Sequence, residues 1–191
     1  MIPTDHPTVV AIAGPNGAGK STFYEAFLAP AGLRFVNADR IARELGIDAY
    51  AAASVAARVR EELGARKESF VFETVLSDPV GEKVAQLARW QAEGYSVILC
   101  FIGLADPRIS DQRVAMRVSQ GGHDVPLAKL ESRFPRTLAN LKRAVEVLSH
   151  VYIYDNSDLR SPFRLVTVVE YGRRVNLASD LPDWLRPILA D

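Results

Sequence analysis

Thr8-Val9-Val10-Ala11-Ile12-Ala13 is apolar almost throughout and ends at a glycine, the pattern of a strand buried on both faces. Ser21 to Leu28 follows as a helix, with Phe23, Phe27 and Leu28 at helical spacing. Arg34 to Asn37 predicts a short second strand, Ile41 to Leu45 and the alanine-rich Tyr50 to Leu63 two helices, and Ser69 to Glu73 a third strand. Asp78-Pro79 predicts an N-cap with proline at the first helical position; Val80, Val84 and Leu87 give that helix its stripe and Gly94 ends it. Tyr95 to Ile102 is the clearest central strand. A polar helix over Ile109 to Ser119, closed by Gly121-Gly122, precedes a long apolar-striped one from Leu127 to Leu148 that Pro135 is expected to kink. Val151 to Tyr154 and Leu165 to Val169 supply two further strands, and Trp184 and Leu185 pack back onto the body. Alternating strands and helices imply a mostly parallel sheet with helices on both faces, an α/β/α sandwich with right-handed crossovers. One domain over residues 1–191 is expected, with a lid at about 106–126.

Composition narrows the partners. Lys plus Arg and Asp plus Glu both number 23, so no basic excess points to nucleic acid. No apolar run approaches the roughly 20 residues needed to span a bilayer, and no leader pattern opens the chain, so a cytoplasmic protein without membrane contact is expected. Cys100, the one cysteine, sits in an apolar run and reads as a buried inert thiol.

The chemistry concentrates after the first strand. Gly14-Pro15-Asn16-Gly17-Ala18-Gly19-Lys20-Ser21 fits G-x-x-x-x-G-K-[ST] without departure and lies between a strand and a helix, as a phosphate-binding P-loop requires. Glycines let backbone N–H groups turn inward around an anion, the following helix adds its positive end, Lys20 reaches the β- and γ-phosphates, and the Ser21 hydroxyl is a ligand for Mg²⁺. Thr22 completes the segment expected to bind ATP, which places the chain among P-loop NTPases.

A P-loop alone does not define a class. An ABC-type ATPase needs an Asp-Glu strand end, and Asp155 is followed by Asn156; Ser119-Gln120-Gly121-Gly122 only echoes the signature helix. A GTPase needs an Asn-Lys-x-Asp guanine reader, which is missing. What remains is a small kinase. Asp39, after the second strand, is either a carboxylate that orients or deprotonates an acceptor hydroxyl or an N-cap for the next helix. Glu73 and Thr74 end the third strand, where a charge meets ligand, the Mg²⁺ shell or solvent. Arg113 and Arg117 share one helical face and Arg133 and Arg136 open the next helix, either as lid cations on the transferred phosphate or as a solvated face. His123 reads as a hinge or capping residue, and Asn156 as a base contact or a turn.

Together with the P-loop, Phe-Val-Asn-Ala-Asp-Arg-Ile-Ala (35–42), Phe-Glu-Thr-Val-Leu-Ser (72–77), the arginine segment ending in Gly-Gly-His-Asp-Val-Pro (113–126) and Arg-Phe-Pro-Arg-Thr-Leu-Ala-Asn-Leu (133–141) resemble the chromosomal branch of the zeta toxin family of P-loop kinases. The resemblance implies transfer of the ATP γ-phosphate to a hydroxyl of a sugar nucleotide, with UDP-N-acetylglucosamine as first candidate, and an antitoxin as partner. It implies Asp39 as general base, Lys20 as the P-loop lysine, Glu73 as a substrate-side carboxylate and Arg117 with Arg133 as the charge-stabilising pair. Another metabolite or nucleoside as acceptor, or a nucleotide-switch ATPase, are the alternatives.

Overall fold

The computed structural model describes residues 6–119, 125–178 and 180–189. Seven strands form one sheet in the order β2-β3-β1-β4-β5-β6-β7. They are β1 (Thr8–Ala13), β2 (Arg34–Val36), β3 (Phe70–Thr74), β4 (Ser96–Gly103), β5 (His150–Asp155), β6 (Arg164–Glu170) and β7 (Arg173–Leu177). The first five run parallel, while β6 and β7 are antiparallel additions at one edge. The sheet is therefore mostly parallel, as the alternation of strands and helices predicts, with an antiparallel edge. The chain turns back at Tyr171-Gly172, both at positive φ, and makes a hairpin whose second strand the apolar pattern did not announce.

Period-two alternation along β1 supplies both cores. Val9, Ala11 and Ala13 point into a cluster with Phe70, Phe72, Trp90, Leu141 and Trp184; Val10 and Ile12 point into one with Phe23, Tyr24, Ile102 and Leu104. The first cluster is covered by α3 (Ala49–Ala65), α4 (Glu82–Ala92), α6 (Leu127–Val147) and the short α7 (Arg186–Leu189). The second is covered by α1 (Lys20–Phe23), its π-helical continuation Tyr24–Leu28, and residues at the start of α5 (Pro107–Ser119). With α2 (Ala38–Leu45) beside the sheet edge, this is the three-layer α/β/α arrangement.

Two local expectations change. The helix after the P-loop is α-helical for only four residues before it widens to a π-turn, and Phe27 is left 57% exposed. The Asp78-Pro79 cap does not open α4 directly: Gly81, at φ 79°, is the N-cap, and the Asp78 carboxylate reaches the Glu82 N–H from four residues back. Val80 thus lies outside the helix and in solvent. The long helix continues through Pro135, whose ring removes the N–H that would bond the Glu131 carbonyl. Trp184 does pack back, so closely that a Cβ on Gly103 would lie 2.2 Å from its ring. Cys100 is buried, and burial pushes its thiol up to about 12, as an inert core thiol should be.

The β3–α4 segment borders the sheet's carboxyl ends and is held from α6 by polar side chains. Thr137 donates to the Val75 carbonyl at 3.0 Å, and the Asn140 amide donates to the carbonyls of Leu76 and Asp78 at 2.9 and 2.8 Å. Asn140→Ala strands both carbonyls, so it should lower stability by about 2 kcal/mol in urea denaturation; a loss under about 0.5 kcal/mol would mean that water replaces the amide.

Candidate active site

The chain leaves β1 to β2 on one side of the sheet, returns through β3, and then crosses past β1 to β4. β1 thus ends at the point where strand order reverses, the place where open α/β sheets bind ligands. Residues 14–19 form the loop there. Gly14 sits at φ 145°, and a Cβ on it would meet the Ile102 carbonyl oxygen at 2.1 Å. Gly19 sits at φ 86°, with the Asn156 amide 2.9 Å from where its Cβ would be. Only glycine satisfies both the φ and the close approach.

Surrounding elements hold this loop from behind. Ser110 at the start of α5 donates to the Asn16 carbonyl. The Arg113 guanidinium lies within 3.5 Å of the Gly17 carbonyl and 3.4 Å of the Ser157 carbonyl, and its burial lowers its pKa against the opposing influence of Asp155. Asn156 is 3% exposed; its amide donates to the Ala18 carbonyl at 2.9 Å and its side-chain oxygen accepts from the Phe163 N–H at 3.2 Å. Asn156 is therefore a brace for the P-loop rather than a turn residue or a group open to a base.

Lys20, 6% exposed, donates to the carbonyls of Gly14 (3.1 Å) and Pro15 (2.9 Å), which points its ammonium across the loop mouth. It lies 3.8 Å from Glu73 Oε1. The other oxygen of Glu73 accepts from Ser21 Oγ at 2.8 Å and from the Asn37 amide at 2.7 Å. β1 and β3 are paired with Ile12 opposite Glu73, so the strand register puts this carboxylate beside the P-loop. Glu73 thus touches the phosphate-side groups, whereas the family resemblance implies a substrate-side carboxylate. Thr74 is buried and its hydroxyl accepts from the Leu76 N–H at 3.2 Å, shaping the turn in which Leu76 takes φ 58°.

Asn37, not Asp39, caps α2: its side-chain oxygen accepts from the Arg40 N–H at 2.9 Å. The cap alternative for Asp39 is removed, and Asp39 stands exposed in the first turn of that helix. A cleft of about 660 Å³ collects these groups, lined by Asn16, Gly17, Gly19, Lys20, Ser21, Thr22, Asp39, Glu73, Thr74, Arg113 and Arg133. Arg136 instead folds onto its own helix, donating to the Ser132 carbonyl at 2.9 Å. The side chain of Arg117, and Gly121, Gly122 and His123, lie outside the described residues.

Two cationic linings were not expected from the sequence, Arg60 of α3 and Lys83 of α4. Arg60 lies in the alanine-rich helix, to which no site residue was assigned; its spacing from Ala49, Ala53, Ala56 and Ala57 on one helical face was the available signal. Among the described residues no group of three or more His, Cys, Asp or Glu side chains is placed to hold a metal ion. The Ser21 hydroxyl and Glu73 carboxylate form an oxygen pair of the kind that binds Mg²⁺ together with phosphate oxygens and water. No helix among the described residues is long and apolar enough to cross a membrane.

The glycine cradle, its buried lysine and the adjacent serine, at the switch point of a mostly parallel sheet, define a P-loop NTPase fold. A family profile described as an AAA domain matches residues 9–136, and the chain belongs to that family. No curated protein matches it. It is similar to a chain in the crystal structure of AvrRxo1-ORF1:AvrRxo1-ORF2 with sulphate ions, at 17% identity and TM-score 0.73 over 97% of this chain and 64% of that one. The same complex with ATP matches with TM-score 0.72, also at 17% identity and with the same coverage. A structure from the PezAT chromosomal toxin–antitoxin system of Streptococcus pneumoniae matches at 19% identity and TM-score 0.64, over 97% of this chain and 79% of that one. The chain thus spans about 64% of the length of the AvrRxo1 chains it matches.

Asn156→Ala removes the brace on Ala18 without touching the cleft, so ATP affinity measured by calorimetry should fall about tenfold while the far-UV spectrum is unchanged. Unaltered affinity would mean that the loop holds its shape without Asn156.

Proposed function

We propose that the chain is an ATP-dependent small-molecule kinase of the zeta toxin type, with a sugar nucleotide such as UDP-N-acetylglucosamine as the first acceptor to test. The observation that carries this reading is the convergence of Lys20, Asp39, Arg113 and Arg133 on a single cleft that runs on from the P-loop to the α3 wall. A nucleotide switch needs the P-loop; it does not need an exposed carboxylate facing additional ligand space.

In this reading Gly14 to Thr22 hold the ATP phosphates, and Lys20, aimed by the carbonyls of Gly14 and Pro15, neutralises charge on the transferring group. Ser21 and Glu73 would hold Mg²⁺, which when bound supplies charge neutralisation on the β- and γ-phosphates. Asp39 orients the acceptor hydroxyl and takes its proton as that oxygen bonds to the γ-phosphorus and the bond to the ADP oxygen breaks. Arg133 faces the transferred phosphoryl from α6, and Arg117 is its companion by resemblance. Arg113 supports the Gly17 end of the cradle. Thr74 shapes the acceptor-side loop.

A protein partner is part of the proposal. The PezAT structure comes from a toxin–antitoxin system and the AvrRxo1-ORF1 structures contain AvrRxo1-ORF2, so an antitoxin that covers the cleft is the kind of partner to seek.

The test incubates the purified chain with ATP, Mg²⁺ and a panel of acceptors, including UDP-N-acetylglucosamine, nucleosides and sugar acids, and follows each by mass spectrometry. One acceptor should gain a phosphate, and Asp39→Asn should slow that gain about a hundredfold or more while ATP still binds. Full turnover by Asp39→Asn would remove Asp39 as the base, and ATP hydrolysis with every acceptor unmodified would move the assignment to a switch ATPase.

A further inference from the structure

Arg60 is the oddest charge in the protein. Its residue is 8% exposed, its Nε has no hydrogen-bond partner, and it makes no ion pair or side-chain hydrogen bond among the described residues. The guanidinium lies 5.0 Å from the centre of the Phe72 ring. Burial lowers its pKa, with its sequence neighbour Glu61 acting in the other direction. A buried cation is normally paired, because withdrawing it from water costs far more than an aromatic face returns. Among the described residues no anion pairs with it, although Arg60 lines the same cleft as Lys20 and Asp39.

Its setting is specific. Ala49, Ala53, Ala56 and Ala57 lie on the face of α3 that ends at Arg60 and offer small side chains, so ligand can approach the helix closely. Lys83 joins Arg60 at the same cleft, and neither belongs to the phosphate cradle. Lys20 and Arg113 are held against the cradle itself, Lys20 by the carbonyls of Gly14 and Pro15 and Arg113 by that of Gly17.

We propose that Arg60 is the acceptor-side anion receptor: its guanidinium binds a phosphate or carboxylate group carried by the acceptor, and so selects anionic acceptors over neutral ones. This rests on the kinase reading for the word acceptor; the anion site itself stands on the geometry. A planar guanidinium binds either group through paired N–H donors, and the orphan Nε is one of the donors such a pair uses. Phe72 packs against the guanidinium and limits its freedom.

The test uses the full chain saturated with a non-hydrolysable ATP analogue and Mg²⁺, so that the P-loop is filled. The Arg60 Nε–H resonance is identified by its loss in Arg60→Lys and followed during separate titrations with inorganic phosphate and with acetate. A saturable shift with either anion is expected, and the tighter of the two names the group that the acceptor carries. No saturable shift with either anion overturns the proposal. Arg60→Met should lose the anion's protection against thermal unfolding while melting at the same or a higher temperature without it, since a buried unpaired charge has gone. A lower melting temperature in Arg60→Met without anion would assign Arg60 a structural role and overturn the proposal. An Arg60 shift in a protein that phosphorylates no acceptor would support the anion site and remove the kinase reading, whereas acceptor turnover with a silent Arg60 would do the reverse.

Discussion

The site is organised around one carboxylate. Glu73 lies at the end of β3, where register with β1 sets it against the P-loop, and its two oxygens face Lys20, Ser21 and Asn37. Its carboxylate lies 3.8 Å from the Lys20 ammonium and opposes that positive charge at the loop mouth. Through Asn37 it reaches the residue that caps α2 and so fixes where Asp39 begins its helix. Three consecutive strands of the sheet are thereby tied together at their carboxyl ends by one side chain. A neutral residue at position 73 would take away the carboxylate that faces the Lys20 ammonium at 3.8 Å, while the carbonyls of Gly14 and Pro15 still accept from it.

The two flanks of that centre are built by different means. On the nucleotide side, backbone does the shaping: glycines at positive φ, close to Ile102 and Asn156, leave no room for a side chain. On the α3 side of the cleft, polar side chains of α6 hold the β3–α4 loop by its carbonyls, and α3 contributes a wall of alanines. A cradle shaped by backbone beside a loop held by side-chain bonds is an arrangement in which the loop can change without disturbing the cradle. The same P-loop fold can then carry different acceptor pockets.

The central strands and the P-loop were legible because their signals are local: continuous apolar runs, and a motif whose spacing is dictated by backbone geometry. Residues 8–13 form the strand that their apolar run predicts. The antiparallel hairpin was less visible, since β7 carries Arg173, Arg174 and Asn176 in a short edge strand and only Tyr171-Gly172 marks the turn. Asp78-Pro79 carries a true cap signal, but Gly81 supplies the cap and the carboxylate acts from outside the helix. At the site, the sequence indicated which residue types carry chemistry and not which of them meet. Glu73 could be singled out as a candidate carboxylate, but its approach to Lys20 and Ser21 depends on register between strands about 60 residues apart, which no local pattern encodes. Asn156 and Arg60 show the same limit: one braces a loop far away in sequence, and the other is an arginine in an alanine-rich helix that only tertiary packing buries.

We propose that Glu73, which accepts from Ser21 Oγ, joins Ser21 in the metal shell of the nucleotide rather than contacting an acceptor. It is tested most directly by measuring ATP affinity calorimetrically with and without Mg²⁺, in the native chain and in Glu73→Gln. Mg²⁺ should strengthen ATP binding to the native chain about tenfold or more, and Glu73→Gln should lose this gain while binding metal-free ATP at least as well, since a negative charge beside the phosphates has been removed. A Glu73→Gln protein that keeps the full Mg²⁺ dependence would contradict the claim and return Glu73 to the acceptor side.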